Sequence, residues 1–244
     1  MKIISFNLDI CKTGDGLGDY LKVFDDHEIL LFQEFNSLYL DKFQEIFANF
    51  KLFYSPSFIY ENSSNNYSTG LLTCIKNTVS LIKQENKFIY GDGIASSFKP
   101  NIDQFSNVIG DPRNIQLSLI SYINKNILIL NYHGISYPSN KKDTEQRLEQ
   151  SETIVELIIN QSYDLAILGG DLNIDIETES LEILETVFTQ NLIKKFNIQT
   201  TRPKGIYPQF SDYFLATNNA KIDYLKCVNT NLSDHFLLEI KLDL

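Results

Sequence analysis

Five short apolar runs in this 244-residue chain each end or begin on an acid, an amide or an imidazole. ILLFQ is followed by Glu34, LAILGG by Asp171, and the run into NYH closes at His133. Asp212 opens DYFLA, and Asp234 with His235 precedes FLLEIKL. Apolar runs of this length, bounded by Gly and polar residues, read as buried strands. One polar strand end means little, but five in one chain imply that the ends converge on one place. Asn7 lies inside a further strand-like segment, Lys2 to Leu8, where a buried amide needs partners.

Strand-like and helix-like segments alternate at the start. Leu17 to Phe24 and Leu38 to Phe50 have helical spacing on either side of the apolar Glu28 to Gln33. The chain then reads mainly as strands at 69–75, 79–83, 116–123 and 127–132. The clearest helix runs from Asp143 to Asn160, with Asp143 and Gln146 as its capping pair and Leu148, Ser151, Ile154, Val155 and Ile158 on one face. A strand at 164–168, a helix near 180–188 and late strands at 212–216, 222–228 and 236–242 complete the pattern. Residues 61–68 and 90–113 read as loops flanking a cleft. There is no short-period repeat and no linker, so 1–244 is expected to form one domain of two packed sheets with helices outside.

Composition narrows the function classes. With 43% hydrophobic residues the chain can bury a full core, and no apolar run is long enough to span a bilayer. Cys11, Cys74 and Cys227 are odd in number and without a CxxC, which indicates neither a zinc ribbon nor a disulfide framework. With no signal-peptide pattern at the N-terminus, a cytoplasmic location is the expectation. A net charge of −10 argues against sequence-blind gripping of nucleic acid through a broad basic face. It leaves room for an enzyme that meets phosphate through a metal ion and a few local cations.

The polar residues available for chemistry are few. The histidines are His27, in an acidic turn and expected to be solvated, His133 and His235. The arginines are Arg113, Arg147 and Arg202; each could fork onto a phosphate, although Arg147 suits a helix-surface pair better. In GGDLN, Gly169 to Asn173, a turn explains the pentapeptide by itself. Asp171 and Asn173 are also two apart, so in extended conformation they leave the same face and could grip one water or phosphate oxygen.

Taken in order, FN (Phe6-Asn7), QE (Gln33-Glu34), NYH (Asn131 to His133), GGDLN, SDYFL (Ser211 to Leu215) and SDH (Ser233 to His235) resemble the endonuclease/exonuclease/phosphatase, or deoxyribonuclease I-like, superfamily. Arg113-Asn114, Lys142-Asp143-Thr144 with Arg147, and Thr200-Thr201-Arg202 are similar to a bacterial subgroup of small members. Of two Asp-Tyr pairs before SDH, Asp212 is taken over Asp223, because Asp223 falls inside the return strand that a hairpin requires.

The resemblance implies a four-layer α/β/β/α sandwich of two mixed sheets. It implies Mg²⁺, with Mn²⁺ as substitute, held by Glu34 with Asn7 and Asp234. Asp171 would orient or deprotonate the attacking water, Asn173 would hold the scissile phosphate, and His235, oriented by Asp212, would stabilise the developing charge. Arg113, Asn131 and His133 would be further phosphate contacts, His133 also a proton donor. The expected activity is phosphoester hydrolysis, on DNA or RNA, with no obligate protein partner. The alternatives are a phosphatase or phosphodiesterase for a small molecule such as an inositol phosphate or phospholipid headgroup, and a catalytically dead binding module. The Tyr-x-Pro segment and tryptophan usual in abasic-site relatives are absent, and Ile174-Asp175 stands where inositol 5-phosphatases place Arg.

Overall fold

The computed structural model of the chain describes residues 1–12, 14–60, 66–91, 112–203 and 210–244. Its frame is a pair of parallel strand couples, one in each of two six-stranded sheets. In the first sheet β1 (Lys2–Asn7) runs parallel to β2 (Ile29–Asn36), joined through α1 (Asp15–Leu21). In the second β7 (Lys125–His133) runs parallel to β8 (Leu165–Asp171), joined through α3 (Glu145–Ile159). Antiparallel strands extend both couples. β3 (Phe50–Tyr60), β4 (Tyr67–Lys76), β11 (Lys221–Val228) and β12 (Leu237–Asp243) give the order β11-β12-β1-β2-β4-β3. β5 (Ser80–Tyr90), β6 (Arg113–Tyr122), β9 (Gln190–Asn191) and β10 (Asp212–Ala216) give β5-β6-β7-β8-β10-β9.

Period-two alternation decides which residues meet between the sheets. Ile3, Ile29 and Leu31 join the core with Ile127, Ile129, Ile167 and Phe214. Their alternates Ile4, Phe6, Leu30 and Phe32 face outward onto Leu17 and Leu21 of α1 and Phe43 of α2 (Leu40–Ile46). On the other flank α3 brings Ile154 and Ile158, and α4 (Glu179–Glu185) brings Leu181 and Leu184. The result is the expected four-layer sandwich, completed by the short α5 (Leu192–Lys195) beside β10.

Several local expectations are corrected. The capping residue of α3 is Thr144, whose side chain accepts from the Arg147 amide; Asp143 instead accepts from the amides of Glu179 and Ser180 at the start of α4, beside that helix's own cap Thr178. β3 carries no strand pattern in its sequence, because it sits at a sheet edge and its half-buried run carries Pro56 beside a register shift. His27 is buried rather than solvated, packed edge-on to Phe24 with Nδ1 2.8 Å from Asp26. Of the two segments read as cleft loops, 61–65 and 92–111 lie outside the described residues.

Candidate active site

Parallel strands finish at the same edge, which explains why polar strand ends gather. β1, β2, β7 and β8 deliver Asn7, Glu34, His133 and Asp171 at or near their C-terminal ends. Antiparallel β10 enters the same edge with Asp212, paired in register with Asp171. The two sheets meet at Asn7, whose Nδ2 donates to Glu34 Oε1 at 3.2 Å and to Asp171 Oδ2 at 3.0 Å. Its Oδ1 accepts from the Asp9 amide.

Simple alternation would send Glu34 outward with Leu30 and Phe32. A bulge prevents this: register with β4 shifts between Phe32 and Phe35, and Glu34 adopts φ 51°. Phe35 then takes the outward place, and Glu34 is re-aimed toward Asn7. A non-glycine residue in this region costs on the order of 1–3 kcal/mol, a strain concentrated at functional positions. Burial raises the Glu34 carboxyl, and the nearby Asp171 charge adds to the effect.

GGDLN also differs from its turn reading. Gly169 and Gly170 lie within β8, and space rather than turn geometry requires them. A Cβ at Gly169 would come within 2.6 Å of the Phe214 ring and 2.8 Å of a Leu31 methyl; one at Gly170 would lie 1.9 Å from Tyr132 O. Asp171 is 1% exposed. Burial opposes its ionisation, but His235, His133, Lys141 and Arg202 overcome that and hold its carboxyl low. Asn173 lies beyond the strand at φ 55°, so the extended same-face geometry with Asp171 does not hold. Its amide N–H bonds Asp171 Oδ1 at 3.0 Å, and its side chain donates to Gly134 O and accepts from Lys141 Nζ.

The two histidines are set to opposite charge states. Arg113 Nη1 lies 3.3 Å from His133 Nδ1; as arginine can only donate, Nδ1 accepts and the proton sits on Nε2. That nitrogen points between Glu34 (3.6 Å) and Asp171 (3.5 Å). Burial and the Arg113 charge push His133 down to about 3, so it is neutral: a hydrogen-bond donor rather than the proton donor the sequence suggested. His235 Nδ1 lies 2.8 Å from Asp212 Oδ2. Burial disfavours its protonation, yet Asp212 and Asp171 prevail and raise it to about 9. Asp223, the competing aspartate, stands on β11 paired with Lys241 at 2.7 Å.

The His235 shift predicts a pH-dependent stability. A raised histidine contributes fully below its unfolded value near 6.5 and loses the contribution as pH climbs through about 9. Asp212→Asn should therefore cost about 3 kcal/mol near pH 6, as expected for a broken buried pair, with the gap to wild type narrowing by pH 9.5. Urea unfolding at the two pH values measures it, and a gap independent of pH would count against the pairing.

Two basic residues take unexpected places. Arg147 is 1% exposed and donates to the carbonyls of Ile135, Pro138 and Lys142, so it pins the loop after β7 rather than pairing on a helix surface. That loop presents Lys141, which sequence reasoning missed. Lys141 is 6% exposed at φ 57°, with Nζ bonded to Asn173 Oδ1 and Ser136 O, and burial lowers it to about 8. Only the tertiary path of the loop brings it here. Arg202 pairs with Asp234, whose side chain is 41% exposed; Asp234 Oδ1 lies 3.5 Å from His235 Nε2. Asn131 is not brought to the mouth of the site. It is consumed between the sheets by Gln33, Thr73, Gln116 and the carbonyls of Phe32 and Leu72.

Among the described residues, Glu34, His133 and Asp171 offer ligand atoms all within 4.8 Å of one another, and so do Asp171, Asp212 and His235. Glu34 and Asp171, carboxylates from opposite sheets, fit a hard divalent cation, which takes oxygen ligands, whereas His133 Nε2, carrying its proton, faces them as a donor without a hydrogen-bond partner.

The two-sheet sandwich with converging strand ends is the deoxyribonuclease I-like fold, and solved structures bear this out. An endonuclease/exonuclease/phosphatase family protein from Leptotrichia buccalis aligns over 100% of both chains at TM-score 0.73 and 18% identity. D. rerio TDP2 complexed with single strand DNA product aligns over 100% of this chain and 99% of its own, at TM-score 0.71 and 14% identity. A mannosyl-6-phosphatase of Bacteroides thetaiotaomicron aligns over 100% of both chains at TM-score 0.69 and 14% identity. No family model and no curated protein sequence matches the chain. No helix among the described residues is long and apolar enough to cross a membrane.

Proposed function

We propose that the chain is a divalent-metal-dependent phosphoester hydrolase, with Mg²⁺ as the working ion, acting as a phosphodiesterase on DNA or RNA. One observation carries this: Asn7 holds Glu34 of one sheet and Asp171 of the other in a single cluster, flanked by a neutral and a protonated imidazole. A binding module has no need of this division of charge states. A bound cation would neutralise phosphate charge and sharpen the nucleophilicity of water.

The chain's own residues supply the remainder. Glu34 and Asp171 would hold the ion, and Asn7 could offer its oxygen by turning its amide. Asp171, ionised at neutral pH, orients and accepts a proton from the attacking water. His235, kept protonated and oriented by Asp212, stabilises charge on the phosphate and donates toward the leaving oxygen. His133 Nε2–H and Arg113 hold phosphate oxygens. Asn173 acts with Lys141, the amide fixing the ammonium that faces the anion. Asp234, tied to Arg202 and beside His235 Nε2, would be the further acid available to the ion at the exposed rim.

The mannosyl-6-phosphatase likeness keeps a small phosphorylated molecule as the second reading. Protein with Mg²⁺ should hydrolyse bis-p-nitrophenyl phosphate and single-stranded DNA or RNA faster than p-nitrophenyl phosphate, sugar phosphates or inositol phosphates. Faster turnover of the monoesters would select the second reading, and no turnover across the panel would oppose both.

A further inference from the structure

Lys141 reaches the phosphate cluster from a loop, and its buried ammonium has no carboxylate to hold it there. Nζ donates to Ser136 O at 3.1 Å and to Asn173 Oδ1, both neutral oxygens. These bonds use two of the three ammonium hydrogens. The backbone at Lys141 is left-handed, a conformation that side chains disfavour and that the surroundings must enforce. The Lys141 amide bonds Pro138 O at 3.2 Å, and Lys141 O accepts from the Asp175 amide at 2.9 Å.

Arg147 supplies the rest of the enforcement. Its Nε and Nη2 lie 3.3 and 3.2 Å from Ile135 O, Nη2 donates to Pro138 O at 2.7 Å, and Nη1 donates to Lys142 O. The guanidinium therefore grips the chain on both sides of Lys141. The electrostatics argue that this grip serves more than the loop. Arg147 is buried in the first turn of α3, where the helix dipole disfavours a cation, and all its acceptors are neutral carbonyls. Asp143, whose charge favours the guanidinium, has its oxygens bonded to the start of α4. Burial lowers the Lys141 ammonium most, against the pull of Asp171, and the Arg147 charge lowers it further. Two buried cations thus repel each other beside the cluster, and an anion at Lys141 would relieve both. A loop that required only tethering would be better served by an uncharged donor.

We propose that Arg147 is a positioning residue for phosphate binding. It touches no reacting atom, but by clamping Pro138 and Lys142 it aims the third hydrogen of the Lys141 ammonium at a non-bridging oxygen of the substrate phosphate. The proposal rests on reading the cluster as a phosphoester site.

The test is a double-mutant cycle on the full chain with Mg²⁺. Its readouts are KM and kcat for bis-p-nitrophenyl phosphate and the rise in melting temperature produced by inorganic phosphate. Lys141→Met should raise KM about tenfold, the loss of one charge-assisted hydrogen bond, with a smaller fall in kcat. It should also remove most of the phosphate-induced rise. Arg147→Lys keeps the charge but not the planar fork, and should have the same effects. In the Lys141→Met background, Arg147→Lys should change neither KM nor the phosphate response further. A purely structural arginine predicts a lower melting temperature with KM and the phosphate response intact, or effects that add in full to those of Lys141→Met; either result overturns the proposal. Arg147→Gln takes the same place in the cycle if the lysine variant does not fold. A Lys141→Met chain with wild-type KM and phosphate response overturns the proposal whichever arginine variant folds. Wild-type turnover is scored separately. Turnover with an additive cycle sinks the positioning role alone, whereas a phosphate response lost in both variants with no hydrolysis of any ester supports that role and sinks the hydrolase reading.

Discussion

Asp171→Asn is expected to lower phosphodiester turnover about 10³-fold, within the range that a positioned general base supplies. The substitution keeps the shape of the side chain but removes its charge and its capacity to take a proton. The loss should appear in kcat, because Asp171 accepts from Asn7 and from the Asn173 amide in the resting protein and its remaining capacity is for the water in flight. Stability should fall as well. The folded state holds Asp171 ionised against His235, His133 and Lys141, so its charge contributes stability above the unfolded carboxylate value and loses it only as pH falls toward about 2. At pH 7 the asparagine leaves those cations unbalanced. Circular dichroism and kinetics below the melting temperature separate the two effects, and an unchanged kcat would remove Asp171 from the chemistry.

Glu34→Gln should abolish turnover equally but move stability the other way. Burial and the neighbouring Asp171 raise Glu34, so its ionised form at pH 7 is a burden on the metal-free fold. The amide should melt higher than wild type in chelator. With Mg²⁺ the order should reverse. At 100 times its dissociation constant a ligand of the folded state adds about 2.7 kcal/mol, which for a chain of this size is a rise of roughly 5–10 °C. Wild type should show that rise and Glu34→Gln should not. A Mg²⁺ shift that persists in Glu34→Gln would place the ion elsewhere.

The opposite signs follow from where each carboxylate sits, and this is where sequence reading ends. Alternation of apolar residues gives the strands, and their polar ends announce a common edge, because parallel strands such as β7 and β8 must finish together. The bulge that turns Glu34 inward depends on how β2 registers with β4, which no local pattern encodes. GGDLN has turn composition, yet its glycines answer to Phe214, Leu31 and Tyr132, residues 38 to 138 positions away. Arg147 has the spacing of a helix-surface residue, but three loop carbonyls draw it inside. Lys141 carries no motif at all. Its place follows from the loop that Arg147 pins.

If carboxylates from the two sheets form one metal-dependent phosphoester site, activity must depend on the ion and on both of them. The most direct measurement is hydrolysis of bis-p-nitrophenyl phosphate by chelator-stripped protein as Mg²⁺ is titrated back, run in parallel on wild type, Glu34→Gln and Asp171→Asn. The expected result is a saturable return of activity in wild type and none in either variant, one from each sheet. Activity that persists in chelator, or that returns in either variant, would contradict it.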